Sequence, residues 1–147
     1  MTAFFLEFEV VREDRYAPLV GVVEALRLSK QEDVWPDDDF WLGFFDSEAR
    51  AFFWWPTAAD LAAYRRRWDA TPASERPYDP GLETPWDFGS MLDAFRNGEY
   101  EILGCRRISP TTARLEFDPY AGPFGGTECM RALIEAFGHR VLHDSWG

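Results

Sequence analysis

The stretch DPYAGPFGGTECMRALIEAFG, residues 118–138, runs from the end of a strand through a glycine-bearing loop into an amphipathic helix. On its N-terminal side two strand-like runs, 99–108 and 111–118, are joined by the short region SPTT, and on its C-terminal side RVLH favours a last strand near 139–144. The chain therefore closes on a β-β-α-β unit. Its two strands flanking the helix should run parallel if they pair in one sheet.

The loop itself poses a question of chemistry. A phosphate cradle at a helix start needs free backbone N–H groups and usually a basic side chain. Here Thr127 is the natural cap for those N–H groups, and Glu128, the first helical residue, repels an incoming anion. GPFGGT has neither a Walker ending nor G-x-G-x-x-G spacing. The loop reads as a tight connection, with Tyr120 and Phe124 expected to pin it to the core.

Working back along the chain, FFLEFEVV (4–11) alternates Phe4, Leu6, Phe8 and Val10 against Glu7 and Glu9, the pattern of a half-buried strand. In PLVGVVEALRLS (18–29), Leu19, Val22, Val23 and Leu26 have helical spacing and Pro18 suits a first turn. After the acidic connector EDVWPDDD (32–39), the aromatic runs FWLGFF (40–45) and AFFWW (51–55) flank DSEAR and predict a β-hairpin apolar on both faces. Thr57 and Asp60 form a capping box for a helix with Leu61, Tyr64 and Trp68 as its expected buried stripe, and the RRR run at 65–67 near its C-terminal end. DATPASERPYDPGLE (69–83) lacks periodicity and is longer than most connections. A further helix is expected from Thr84 as cap, with Pro85 in its first turn, Phe88, Met91, Leu92 and Phe95 as its core stripe, and Asn97-Gly98 as its stop.

This order predicts an α+β fold in a single domain, 1–147: a mostly antiparallel sheet with helices packed on it. At 147 residues, with 46% hydrophobic and 17% aromatic residues, the chain can build one sizeable core without disulfide or metal. No apolar run reaches the ~20 residues that span a bilayer, and the start has no basic, small-residue leader pattern, so the expectation is a cytoplasmic protein off the membrane. A net charge of −11 repels phosphate backbones and disfavours nucleic acid as a partner.

Little in the sequence assembles a catalytic centre. Glu7, Glu9, Glu99, Glu101, Glu116 and Asp118, with Arg114 among them, form an acidic sheet face if three strands are neighbours; such a face is more commonly solvated than metal-binding. His139 and His143, four apart on a strand, would share a face about 13 Å apart, too far to hold one ion. Cys105 and Cys129 read as buried small hydrophobes. No metal site and no cofactor is expected.

The least ordinary feature is the aromatic density between 35 and 55, beside the acidic run. Core packing takes most of those rings, and the surplus defines a candidate binding surface of Trp35, Asp37, Asp38, Asp39, Trp41, Trp54 and Trp55. The leading expectation is a small acidic intracellular binding module that engages a basic protein as an inhibitor or immunity-type factor. The alternatives are a small enzyme or ligand-binding domain with an aromatic pocket between the hairpin and the 69–83 segment, and a homodimer that buries its own aromatic surplus.

Overall fold

The computed structural model describes residues 4–84, 86–120 and 126–146. Strand β1 (Phe4–Glu9) forms where the alternation predicts it, with Leu6 and Phe8 buried. Helix α1 (Tyr16–Glu32) buries Leu19, Val22, Val23 and Leu26 and ends at Asp33, whose backbone adopts φ 53° and returns its N–H to the Ser29 carbonyl. Aspartate tolerates this left-handed conformation better than most residues.

The β-hairpin expected across 40–55 is not formed. In its place stand two short helices, α2 (Asp38–Leu42) and α3 (Ser47–Ala51). Each is opened by an aspartate whose carboxylate accepts a backbone N–H, Asp37 from Phe40 and Asp46 from Ala49. The buried residues are Trp41, Phe45, Ala49 and Phe53, spaced by four throughout, so they lie along one side of the segment. The strand reading failed because rings on both alternating faces mimic a doubly covered strand, while the two caps and the four-residue spacing favour helical turns.

Helix α4 (Ala58–Ala70) carries the predicted capping box, Thr57 N–H donating to Asp60 Oδ2 at 2.9 Å and Asp60 N–H to Thr57 Oγ1 at 3.1 Å. Its apolar stripe, however, is not core: the helix has no buried residue, and Leu61 and Trp68 remain 51% and 40% exposed. The 69–83 segment contributes two single 3-10 turns, at 76–78 and 80–82. Helix α5 (Phe88–Asn97) begins later than expected. Asp87, not Thr84, caps it, accepting the Ser90 N–H at 2.7 Å and hydroxyl at 2.8 Å; Pro85 lies outside the described residues.

The C-terminal unit is β2 (Tyr100–Arg107), β3 (Thr112–Pro119), α6 (Glu128–Ala136) and β4 (Arg140–Asp144). The sheet order is β2-β3-β1-β4 and every pairing is antiparallel. Because β3 and β4 both run against β1, they are parallel to one another with β1 between them. Leu6, Phe8, Ile102, Ala113, Leu115 and Phe117 from the sheet join α1, α5 and α6 in one hydrophobic cluster that also takes Trp41, Phe45 and Phe53.

The glycine loop at 121–125, including Phe124, lies outside the described residues. At its edges two expectations are corrected. Tyr120 is 68% exposed and pins nothing to the core. The Thr127 hydroxyl does not cap α6 but donates to the Asp144 carboxylate, tying the helix start to β4.

Candidate functional site

The sheet face turned from the helices is the first place to look for paired carboxylates. Register puts Glu7 opposite Arg114 and Glu9 opposite Arg140. Arg114 bonds Glu7 at 3.0 Å, Arg106 bonds Glu116 at 3.1 Å, and Arg140 bonds Glu9 at 3.0 Å, while the Arg114 guanidinium lies over the Phe5 ring at 3.8 Å. The strands are neighbours, as the acidic-face reading required, but arginines pair with Glu7, Glu9 and Glu116, while Glu101 stands opposite Asp118 with no arginine bonded to either among the described residues. No group of three or more His, Cys, Asp or Glu suited to a metal occurs among the described residues.

The two histidines do not share a face. A register shift between Glu7 and Phe8 in the β1–β4 pairing lets His139 point inward against Phe8, while His143 tilts against Phe5 on the outside. His139 is 4% exposed; its Nδ1 accepts the Val11 N–H at 3.2 Å and its Nε2 donates to the Arg15 carbonyl at 3.2 Å. Burial lowers its pKa, and both nitrogens are used by backbone. Cys105 and Cys129 are free thiols, pushed up by burial to about 12 and about 11. None of these groups is placed as a nucleophile or general base.

The predicted binding residues divide between two places. Trp41 is 1% exposed and donates its indole N–H to the Pro36 carbonyl at 3.2 Å, so it is core, not surface. Trp35 packs half-buried beside it at 5.9 Å between centroids, Asp37 is used as the α2 cap, and Asp38 and Asp39 are open to solvent. Trp54 and Trp55 instead sit at the foot of α4 and diverge there. Trp55 stacks on Phe88 with its indole N–H on the Arg50 carbonyl, whereas Trp54 turns toward α4.

That turn creates the candidate site. The Trp54 N–H donates to the Trp86 carbonyl at 2.8 Å, closing residues 56–84 into an arm with α4 as its main element. No described buried residue between 54 and 87 belongs to the main core cluster. The arm holds itself together instead: Tyr64 meets Trp54 at 6.3 Å and Trp68 at 6.4 Å, Arg76 lies over Trp68 at 4.4 Å, and Leu82 is buried outside the main cluster. Within the arm, between α4 and the 81–84 segment and reaching Trp54, runs a groove of about 530 Å³, lined by Trp54, Asp60, Ala63, Tyr64, Arg67, Gly81, Glu83 and Thr84. At Thr84 it adjoins a second depression of about 350 Å³ with Trp86, Asp87, Ser90 and Glu128 on its walls.

Charge in the main groove is unevenly spent. Arg67 is its cation, and its fork is closed on Asp79 by bonds of 3.1 Å from Nε and 2.6 Å from a terminal nitrogen. The Arg67 hydrogen bond, reinforced by the Gly81 N–H, holds the Asp79 carboxyl below its usual range. A Cβ at Gly81 would fall 2.0 Å from the Arg67 guanidinium carbon, so a larger residue there would displace that end of the arginine from its seat. Asp60 keeps one oxygen beyond its cap bond, and the Glu83 carboxylate accepts no hydrogen bond from a described residue. The groove is thus an aromatic wall rimmed by carboxylates, with its arginine already neutralised. It lies between the second aromatic run and the end of the 69–83 segment; Asp60 and Tyr64, on α4, were not among the expected binding residues.

Comparison with protein-family models, with curated proteins and with solved structures finds no match to this chain.

Proposed function

We propose that the chain is a small acidic recognition domain, cytoplasmic in setting, that binds a basic segment of another protein through the Trp54–Tyr64 groove, as an inhibitor or immunity-type factor does. The observation that carries this reading is the groove's composition: two aromatic faces beside Asp60 and Glu83, with Arg67 occupied by Asp79. The net charge of −11 adds long-range attraction for a cationic partner, and the open Asp38 and Asp39 extend that field. Two free thiols fit a reducing compartment. The groove's aromatic faces and rim carboxylates are groups that recognise a cation.

The test is a titration of the whole protein with a short peptide of mixed Lys and Arg, and with its Glu/Asp counterpart, followed by tryptophan emission at low and physiological salt. The expected result is saturable binding of the basic peptide alone, weakened by salt, with slower association when Asp37, Asp38 and Asp39 are replaced by Asn. Equal response to both peptides, or to neither, overturns the reading.

A further inference from the structure

The arm already holds two of its own arginines by repeating means. The Arg76 guanidinium lies over Trp68 at 4.4 Å while its Nε donates to the Trp68 and Thr71 carbonyls at 3.2 and 3.1 Å. Arg67 closes a fork on Asp79 against the bare backbone of Gly81. In one case the guanidinium finds an aromatic face and fixed oxygens, and in the other a carboxylate fork. The groove between α4 and the 81–84 segment presents these groups together: the tilted faces of Trp54 and Tyr64, set 55° to each other, with Asp60 and Glu83 at the rim.

We infer that this groove is an arginine-reading site, which takes the guanidinium of a partner side chain flat against Tyr64 or Trp54 and forked onto Glu83 or Asp60. The inference rests on the recognition reading above and narrows it to one side-chain chemistry. Three physical points favour guanidinium over ammonium. A planar cation stacks on an open aromatic face, where an ammonium makes only a point contact. Guanidinium is the more weakly hydrated of the two, so less hydration is lost on entering a half-apolar groove. Its fixed fork of donors matches a carboxylate in two bonds. The volume of about 530 Å³ has room for the whole side chain and its flanking backbone. The adjoining depression at Thr84, with Asp87 and Glu128, continues the same charge along the path of an extended segment.

The experiment compares capped Ser-Gly-Arg-Gly-Arg-Gly-Ser with the same peptide carrying Lys at both Arg positions, titrated into the full chain and its variants Glu83→Gln, Tyr64→Leu and Tyr64→Phe. The arginine peptide is expected to bind about fivefold or more tightly than the lysine peptide. Glu83→Gln and Tyr64→Leu should each weaken it about two- to fivefold and shrink the Arg/Lys ratio, while Tyr64→Phe retains both. Thermal melts of the variants report whether each remains folded, and the Phe variant keeps the test valid if Tyr64→Leu does not. Equal binding of the two peptides overturns arginine reading but leaves the recognition of basic segments standing. Binding of neither overturns both. Preference for arginine untouched by Glu83→Gln and Tyr64→Leu would place guanidinium recognition elsewhere and overturn this site.

Discussion

The backbone N–H of Trp54 donates to the carbonyl of Trp86 across 2.8 Å, and the bridge continues as a parallel pairing of Trp54 with Asp87. Two residues far apart in sequence are thereby neighbours, and the 56–84 stretch between them leaves the body and returns to the same point. Replacing residues 56–84 by a short Gly-Ser linker should therefore leave the sheet, α1, α5 and α6 folded. Far-UV circular dichroism and a single cooperative melt would show this, with loss of response to basic peptides as the accompanying result. Global unfolding on excision would mean that the arm supports the core.

Trp41 and Trp55 are close in sequence and opposite in environment, at 1% and 51% exposed. Trp41→Ala removes a ring from the centre of the cluster and should cost about 3–5 kcal/mol, read as a lowered denaturation midpoint. Trp55→Ala, which gives up a stacking contact with Phe88 at 5.7 Å and an exposed indole hydrogen bond to the Arg50 carbonyl, should cost about 1–2 kcal/mol. Similar costs for both would contradict the helical packing of 38–51.

His139 gives a prediction in pH. Its Nδ1 must accept from Val11, and protonation would set a donor against a donor. Burial is the main cause that lowers its folded pKa from 6.5; the nearby Arg15 charge acts in the same direction, against the Arg15 carbonyl bond, Glu13 and Asp14. The unfolded chain then binds the proton more readily than the folded one, so stability is fully present above about pH 6.5 and falls as pH drops below it. The melting temperature of the wild type should decline from about pH 6.5 toward pH 5, before most carboxylates titrate. His139→Gln should flatten that part of the profile. A profile identical in the two proteins would remove His139 from the account.

The sheet was legible in the sequence because its signals are local. The alternation of β1, and Gly138 with φ 83° after α6, read correctly without tertiary information. What failed were judgements about what lies opposite. Leu61, Tyr64 and Trp68 identify a helix face, but nothing in their spacing says that Trp54 and Arg76 cover part of it and the core does not. The aromatic run at 40–55 misled for a related reason: rings every four residues are also rings at even spacing, and the separating information lay in Asp37 and Asp46, read as loop residues although each caps a helix. Of the candidate site, Trp54 was foreseen. Asp60 was seen only as a cap and Tyr64 only as core.

Lys30 is the chain's only lysine, beside fourteen arginines. Its Nζ donates to the carbonyls of Phe95 at 2.8 Å and Gly98 at 2.9 Å, over the ring of Tyr100. The one side-chain amine is thus committed to closing the end of α5, and burial lowers its pKa. Chemistry directed at the lysine side chain, whether acetylation or ubiquitin transfer, meets at Lys30 an ammonium already held by two backbone carbonyls. Arginine-directed reagents such as dicarbonyls would find many sites, so the molecule's covalent accessibility is nearly the inverse of that of a lysine-rich protein.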